Sequence, residues 1–196
     1  MKSDIVLAGV GGQGILTIAT ILGHAALREG LHIKQAEVHG MSQRGGDVQS
    51  NLRISSSPIA SDLIPLGAAD LIESLEPMEA LRYLEDLNPA TGWAVSNTTP
   101  FVNINNYPAE EAVMAEFEQL DRVVAFDMDT VAREEASPRS SNIVLLGAAS
   151  PLIGISAESI EQSIAAVFAS KPQAVIDSNM KAFRAGRARA LELMKR

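Results

Sequence analysis

The sequence predicts an α/β protein with three layers, in which helices cover both faces of a parallel or mixed central sheet. Two observations lead to this prediction. Short apolar segments typical of buried strands alternate along the chain with segments of helical periodicity. The chain has 196 residues, of which 46% are hydrophobic, so it is long enough to bury one good core. We therefore expect a single domain over residues 1–196.

The first strand and helix are joined by a glycine-rich turn. Residues 5–8 are apolar and residues 15–28 follow a helical pattern. Between them, Gly9, Gly11 and Gly14 have the G-x-G-x-x-G spacing in the strand–turn–helix context that this motif requires. Glycine accepts positive φ and allows close approach, and the free N–H groups of the next helix attract anions. This unit predicts a Rossmann-like phosphate or nucleotide site.

The second strand ends in another glycine-rich loop. The strand covers residues 32–38, and the loop at residues 39–46 contains His, Ser, Gln, Arg and glycines. We expect the two strands to be neighbours, so that both loops lie at the sheet edge where open α/β sheets bind ligands. Glu37 then stands where a dinucleotide-binding domain has its acidic residue.

The next elements alternate in the expected way. Residues 48–55 form a strand with a polar face, which predicts either a cleft or interface lining or an edge strand open to solvent. A strand over residues 70–76 precedes a helix that starts at Pro77 and ends before residue 89, since Met78, Leu81, Leu84 and Leu87 recur in steps of three. A strand at residues 92–97 leads into an irregular crossing.

The C-terminal part is mostly helical. We expect a helix at residues 109–120, a strand at 122–127, a short helix from 129 and a helix at 142–149. A break at 151–156 follows, with two final helices at 157–169 and 172–195. The last helix is rich in Lys and Arg, which fits either a solvated face that complements the helix dipole or a docking surface.

Composition excludes several classes of function. The formal charge of −8 argues against nucleic acid or an anionic membrane as the main partner. No segment approaches the roughly 18 apolar residues of a membrane span. The absence of cysteine excludes disulfides, thiolate zinc sites and iron–sulfur clusters built by this chain, and the three histidines lack metal-ligand spacing. We expect no metal, no secretory signal and a cytoplasmic location.

The residues do not form a complete catalytic site. The glycine motif alone suggests a nucleotide-binding domain, yet no Ser/His/Asp set, cysteine nucleophile or general-base pair accompanies it. We therefore expect this chain to form only part of a catalytic site.

Four sequence segments resemble the gamma-type domain of 2-oxoacid:ferredoxin oxidoreductases. They are GVGGQG (residues 9–14), EVHGMSQRGGDVQSNLRIS (37–55), LEPMEALRYL (75–84) and NMKAFRAG (179–186). The resemblance covers almost the whole chain. Met41, Ser42 and Gln43 in front of Arg44 favour the indolepyruvate branch of this family.

The resemblance implies an enzyme that is divided between subunits. A large subunit would hold thiamine pyrophosphate and iron–sulfur clusters, and this chain would be inactive alone and hold no cofactor alone. The complex would convert a 2-oxoacid such as indolepyruvate, with coenzyme A, to an acyl-CoA and reduce ferredoxin. Two alternatives stay open: a freestanding nucleotide-binding domain, and a non-catalytic scaffold subunit.

The two glycine loops are the candidate binding site. We expect them to form one wall of the cleft between the subunits, with Arg44 pairing a carboxylate or phosphate of the 2-oxoacid or coenzyme A through its planar fork. In the alternative, the loops only shape the interface and Arg44 binds a carboxylate of the partner. The predicted contact residues are Gly9, Gly11, Gly12, Gln13, Gly14, His39, Ser42, Gln43, Arg44, Gly45 and Gly46.

Overall fold

A mixed six-stranded sheet forms the centre of the molecule. The computed structural model describes residues 1–39, 45–102 and 104–195, with residue 39 described by its backbone alone. The strands are β1 (Lys2–Val10), β2 (His32–His39), β3 (Asp47–Ser55), β4 (Leu71–Ser74), β5 (Trp93–Asn97) and β6 (Val123–Phe126). Their order is β2-β3-β1-β4-β5-β6. Strands β1, β4, β5 and β6 run parallel, and β3 is antiparallel to both of its neighbours.

Helices cover both faces of the sheet, which confirms the predicted three layers. They are α1 (Ile15–Arg28), α2 (Pro77–Arg82), α3 (Glu110–Phe117), α4 (Met128–Glu135), α5 (Ser141–Ile153), α6 (Ala157–Val167) and α7 (Gln173–Leu193). The larger apolar core lies between the sheet and the layer of α1, α4, α5, α6 and α7. A smaller core on the opposite face contains side chains of α2 and α3.

The first two strands are not neighbours, contrary to the sequence prediction. Strand β3 lies between them, pairing Val10 with Asp47 on one side and His39 with Val48 on the other. The hairpin from β2 to β3 returns the chain to β1, so an antiparallel strand takes the position expected for β2. The two glycine-rich loops still leave the same edge, because β1 and β2 point in the same direction.

Strand β3 is therefore not an edge strand, and part of its polar face is used inside the fold. The Arg53 guanidinium donates to both carboxylate oxygens of Asp4 at 2.8 and 2.9 Å and to the carbonyl of Leu63 at 3.0 Å. Burial alone would raise the pKa of Asp4, but hydrogen bonds from Arg53 and Lys2 outweigh it and hold that pKa below its usual value. These bonds fix the connection between β3 and β4 at the edge opposite the glycine loops.

The helix that begins at Pro77 is shorter than the leucine spacing predicts. It ends at Arg82 and is followed by a 3-10 turn, Leu84–Asp86. The carbonyls of Glu85 and Asp86 accept hydrogen bonds from the N–H groups of Gly67 and Ala69, at 3.0 and 2.8 Å. These bonds fix the 3-10 turn to the connection between β3 and β4.

Helix α5 runs through Pro151, where the sequence predicts a break. A proline in a helix deprives the carbonyl four residues earlier of its donor. Here that carbonyl belongs to Gly147, and the Ser150 hydroxyl donates to it at 2.7 Å. The helix ends two residues later than Pro151, before Gly154, whose φ of 79° is left-handed.

Candidate functional site

The two glycine-rich loops contact each other at the C-terminal end of β1. The Gly11 N–H donates to the Gly46 carbonyl at 2.8 Å, and the Gly45 N–H donates to the Gly11 carbonyl at 3.3 Å. These bonds extend the β1–β3 pairing past its last partners, Val10 and Asp47. The structure thus brings the first loop together with the last two residues of the second loop.

The Gln13 side chain holds the first loop in shape. Its Oε1 accepts the Val10 N–H at 2.7 Å, and its Nε2 donates to the Leu75 carbonyl at 3.3 Å, at the end of β4. A Cβ at Gly9 would lie 2.9 Å from that Oε1 atom, so the clamp needs glycine there. The sequence predicts Gln13 as a ligand contact. In the structure, the described hydrogen bonds of its side-chain amide are to the backbone of Val10 and Leu75.

The N-terminus of α1 opens beside this loop. Gly14 adopts φ 94° at the N-cap, and within the described residues no side chain caps the helix. A Cβ at Gly14 would lie 2.6 Å from Asn142 Nδ2, which donates to the Gly14 carbonyl at 3.3 Å. Uncapped N–H groups and the helix dipole make this end suitable for an anion.

A cavity of about 430 Å³ lies on the β2 side of the loop. It is lined by Val10, Gly11, Gly12, Gly14, Ile15, Leu16, Glu37 and Val48. The Glu37 carboxylate accepts a hydrogen bond from Gln35 Nε2 at 3.0 Å. This cavity contains three of the predicted glycines and the acidic residue that the nucleotide interpretation had singled out.

A second cavity, of about 390 Å³, lies on the other side of the loop. It stands where the connections from β1 and β4 leave in opposite directions, which is the position where open α/β sheets bind ligands. The N-terminus of α5 borders it. It is lined by Gly12, Gln13, Leu75, Asn97, Asp129, Pro138, Arg139, Ser141 and Asn142.

Apart from Gln13, the polar groups that line this second cavity were not predicted from the sequence. Asn97 Nδ2 donates to Asp129 Oδ2 at 3.2 Å, and Asn97 Oδ1 accepts the Met128 N–H at 2.9 Å. The Ser141 hydroxyl donates to Asp129. For the Arg139 guanidinium, no ion pair occurs within residues 1–39, 45–102 and 104–195. In the sequence, this cavity is indicated by a polar residue at the end of β5, Asn97, and another at the start of α4, Asp129. That these two residues are partners follows only from the strand order.

A buried carboxylate organises the third part of this edge. Glu76 caps α2 by accepting the Glu79 N–H at 2.9 Å, and it also accepts the Phe101 N–H at 3.3 Å and the Tyr107 hydroxyl. Burial and this hydrogen bond raise the pKa of Tyr107. Arg82 binds both oxygens of Glu79, at 2.8 and 3.2 Å. The residues after β4 and β5 are thereby tied to each other.

Glu73 is a second buried carboxyl group, and it lacks partners. It lies on β4 between Leu7 of β1 and Val95 of β5, on the face covered by α5. Both of its oxygens are buried without a hydrogen-bond partner among the described residues, and burial raises its pKa to about 8. Glu73 is therefore a protonated, neutral acid near pH 7.

Part of the predicted site lies outside the described residues. This holds for Ser42, Gln43 and Arg44 and for the side chain of His39. Across the portions of the chain that the structure describes, no group of three or more His, Asp or Glu could hold a metal ion. Over the same portions, every helix is too short or too polar to cross a membrane.

Comparisons with known proteins identify one family. The model for pyruvate ferredoxin/flavodoxin oxidoreductase matches residues 4–189. Indolepyruvate oxidoreductase subunit IorB of Pyrococcus horikoshii is 38% identical over 201 residues, covering 97% of both chains. The gamma subunit of a keto/oxoacid ferredoxin oxidoreductase from Geobacter sulfurreducens has a TM-score of 0.68 and 26% identity, covering 97% of this chain and 99% of that one.

A larger protein contains the same fold as one part. The 2-oxoglutarate:ferredoxin oxidoreductase of Magnetococcus marinus, solved with 2-oxoglutarate, coenzyme A and succinyl-CoA bound, has a TM-score of 0.77 and 25% identity. The match covers all of this chain but 32% of that one. Family model, sequence relative and solved structures agree over nearly the full length, and the chain belongs to the pyruvate ferredoxin/flavodoxin oxidoreductase family.

Proposed function

We propose that this chain is the small subunit of a cytoplasmic 2-oxoacid:ferredoxin oxidoreductase that acts on indolepyruvate or another aryl-2-oxoacid. The complex decarboxylates the 2-oxoacid oxidatively, transfers the acyl group to coenzyme A and reduces ferredoxin. The observation that carries this proposal is the 38% identity to an indolepyruvate oxidoreductase subunit over 97% of both chains. Coenzyme A in the related Magnetococcus structure supports the co-substrate.

The side chains of this subunit limit which cofactors it can hold. Without a cysteine the chain supplies no thiolate for an iron–sulfur cluster. We therefore assign the clusters to the large subunit. From the resemblance to the family we also assign thiamine pyrophosphate to that subunit, where it supplies the carbanion chemistry of decarboxylation when bound. This chain contributes a wall that binds and orients the anionic groups of substrate and coenzyme A.

That wall consists of the two loops and the helix end beside them. The uncapped first turn of α1 offers N–H groups to a phosphate or carboxylate. Gly12 has φ 105° with no atom near its would-be Cβ, so the backbone is open to close approach. The predicted contacts Ser42, Gln43 and Arg44 directly precede Gly45, which is bonded to Gly11. Arg44 then pairs an anionic group with its planar fork.

The proposal is tested on the complex of this chain with its large subunit. Indolepyruvate, pyruvate and 2-oxoglutarate are compared in the coenzyme A-dependent reduction of ferredoxin or a viologen dye. We expect the highest kcat/KM for the aryl substrate, and no turnover by the small subunit alone. Equal or better use of pyruvate or 2-oxoglutarate contradicts the substrate assignment. Turnover by the isolated chain contradicts the division between subunits.

A further inference from the structure

Three large apolar side chains are exposed at the same sheet edge as the glycine loops. They form what we call the apolar rim: Phe101, Val102 and Ile104, which are 44%, 67% and 44% exposed. All three follow β5, in the connection to α3. Ile104 and the glycines Gly45 and Gly46 line one cavity of about 210 Å³, so the rim is continuous with the proposed cleft wall.

The rim is held in place from inside the protein. Glu76, which is 1% exposed, accepts the N–H of Phe101 at the start of the rim and the hydroxyl of Tyr107, three residues after Ile104. Thr99 also donates to Asn97 at 3.3 Å and to Asp127 at 3.0 Å. The buried acceptors Asn97 and Glu76 hold Thr99, Phe101 and Tyr107 in this connection, and such anchoring lowers the entropy cost of covering the exposed apolar side chains.

Two acidic residues after the rim indicate the charge of the partner surface that would cover it. Glu110 and Glu111 begin α3 six residues beyond Ile104, and both are exposed. Within the described parts of the chain neither takes part in an ion pair. A partner that covers both the rim and the start of α3 meets two exposed carboxylates, so its complementary surface is apolar where it meets the rim and basic where it meets α3.

We propose that the apolar rim is the anchor by which this chain docks on the large, thiamine-dependent subunit. The inference rests on the proposed function. It is supported by the Magnetococcus relative, in which the equivalent of this chain is a third of one longer polypeptide, so that further polypeptide is available to cover it. The rim and the cleft wall share one edge and one cavity, so the same partner can reach both.

The test compares two surface variants for affinity to the large subunit, measured by calorimetry or biolayer interferometry. Phe101→Ser with Val102→Ser removes the centre of the rim. Leu66→Ser is the matched control, because Leu66 is 74% exposed but lies between β3 and β4 at the opposite edge. We expect the Kd of the double variant to rise at least about 10-fold, and the control to stay within about twofold of the wild type. Circular dichroism verifies that both variants are folded.

A second pair of substitutions tests the charged border. Glu110→Gln with Glu111→Gln should slow association and flatten its dependence on salt concentration. Equal affinity of the double Ser variant and the Leu66→Ser control overturns the inference and leaves the proposed function standing. A dimer of the isolated chain that the double Ser variant dissociates assigns the rim to a second copy, and also overturns it. Wild-type protein that neither binds nor activates the large subunit contradicts the proposed function itself.

Discussion

At the scale of single residues, Glu73 has the most unusual environment. The helix above it, α5, has no ionisable side chain, and neither has β5, so nothing there offsets a negative charge. On β1, the charged residues Lys2 and Asp4 precede Leu7, the partner of Glu73, by five and three residues. On α1, His24 and Arg28 lie in the C-terminal half of the helix. A carboxyl group kept in such a place costs stability wherever it must ionise.

This environment predicts a pH dependence of stability with a definite sign. The pKa of Glu73 is about 8 in the folded protein and 4.5 for an ordinary glutamate. The folded state holds this proton more tightly than the unfolded state does. The resulting contribution of Glu73 to the free energy of unfolding is complete below about pH 4.5 and is lost as the pH rises toward about 8. Relative to Glu73→Gln, the wild-type free energy of unfolding should fall by at most about 5 kcal/mol over this range.

Urea denaturation at several pH values measures this difference. Glu118→Gln is the control, because Glu118 is exposed and its replacement should shift the curve by less than about 0.5 kcal/mol at any pH. Parallel stability curves for wild type and Glu73→Gln would show that Glu73 is ionised, or paired, in the folded protein.

Substitutions of Arg44 test the proposed ligand-binding role of this subunit. In the assembled complex, Arg44→Ala should cost on the order of 2–4 kcal/mol of transition-state stabilisation, or about 30- to 1000-fold in kcat/KM. Arg44→Lys keeps the charge but loses the fork, so it should recover only part of the activity. Steady-state kinetics for coenzyme A and the 2-oxoacid measure both. If the two variants weaken subunit association but leave the kinetics of the intact complex unchanged, Arg44 belongs to the interface.

At the scale of elements, the α5–α7 contact depends on two glycines. A Cβ at Gly147 would lie 2.1 Å from the Phe183 carbonyl oxygen, and one at Gly186 would lie 2.0 Å from that of Val144. Backbone atoms of the two helices thus touch where they cross. Gly186→Ala must separate the helices, and we expect it to lower the free energy of unfolding by about 3–5 kcal/mol, a drop of roughly 10 °C in Tm.

The same substitution in another helix serves as the control. At Gly23 of α1 the nearest atom to a new Cβ is Ile33 Cδ1, at 3.3 Å and at the end of a flexible side chain. Because alanine is the better helix former, Gly23→Ala should be neutral or stabilising by up to about 1 kcal/mol. A Gly186→Ala protein that melts at the wild-type temperature would contradict the described crossing.

Local patterns in the sequence predicted the elements better than their arrangement. The strand–turn–helix unit around Gly9 and Gly14 is confirmed, because glycine spacing and helix periodicity are local properties. The position of β3 between β1 and β2, the early end of α2 and the passage of α5 through Pro151 depend on distant partners. The cavity around Asn97, Asp129 and Arg139 was missed for the same reason.

At the scale of the whole molecule, one edge of the sheet carries the features of the proposed site. The described parts of the glycine loops, the uncapped end of α1, three cavities and the apolar rim all lie at the C-terminal ends of the parallel strands. At the opposite edge, the Asp4–Arg53 ion pair stabilises the fold. Under the proposed function, this edge completes a site that the large subunit begins.

Titration of the large subunit with this chain tests that claim most directly. The rate of indolepyruvate- and coenzyme A-dependent viologen reduction is followed as the small subunit is added. We predict negligible turnover by either subunit alone and a rise to a plateau at a fixed ratio of the two. A large subunit that is fully active before this chain is added, or a rate that never depends on it, would contradict the account.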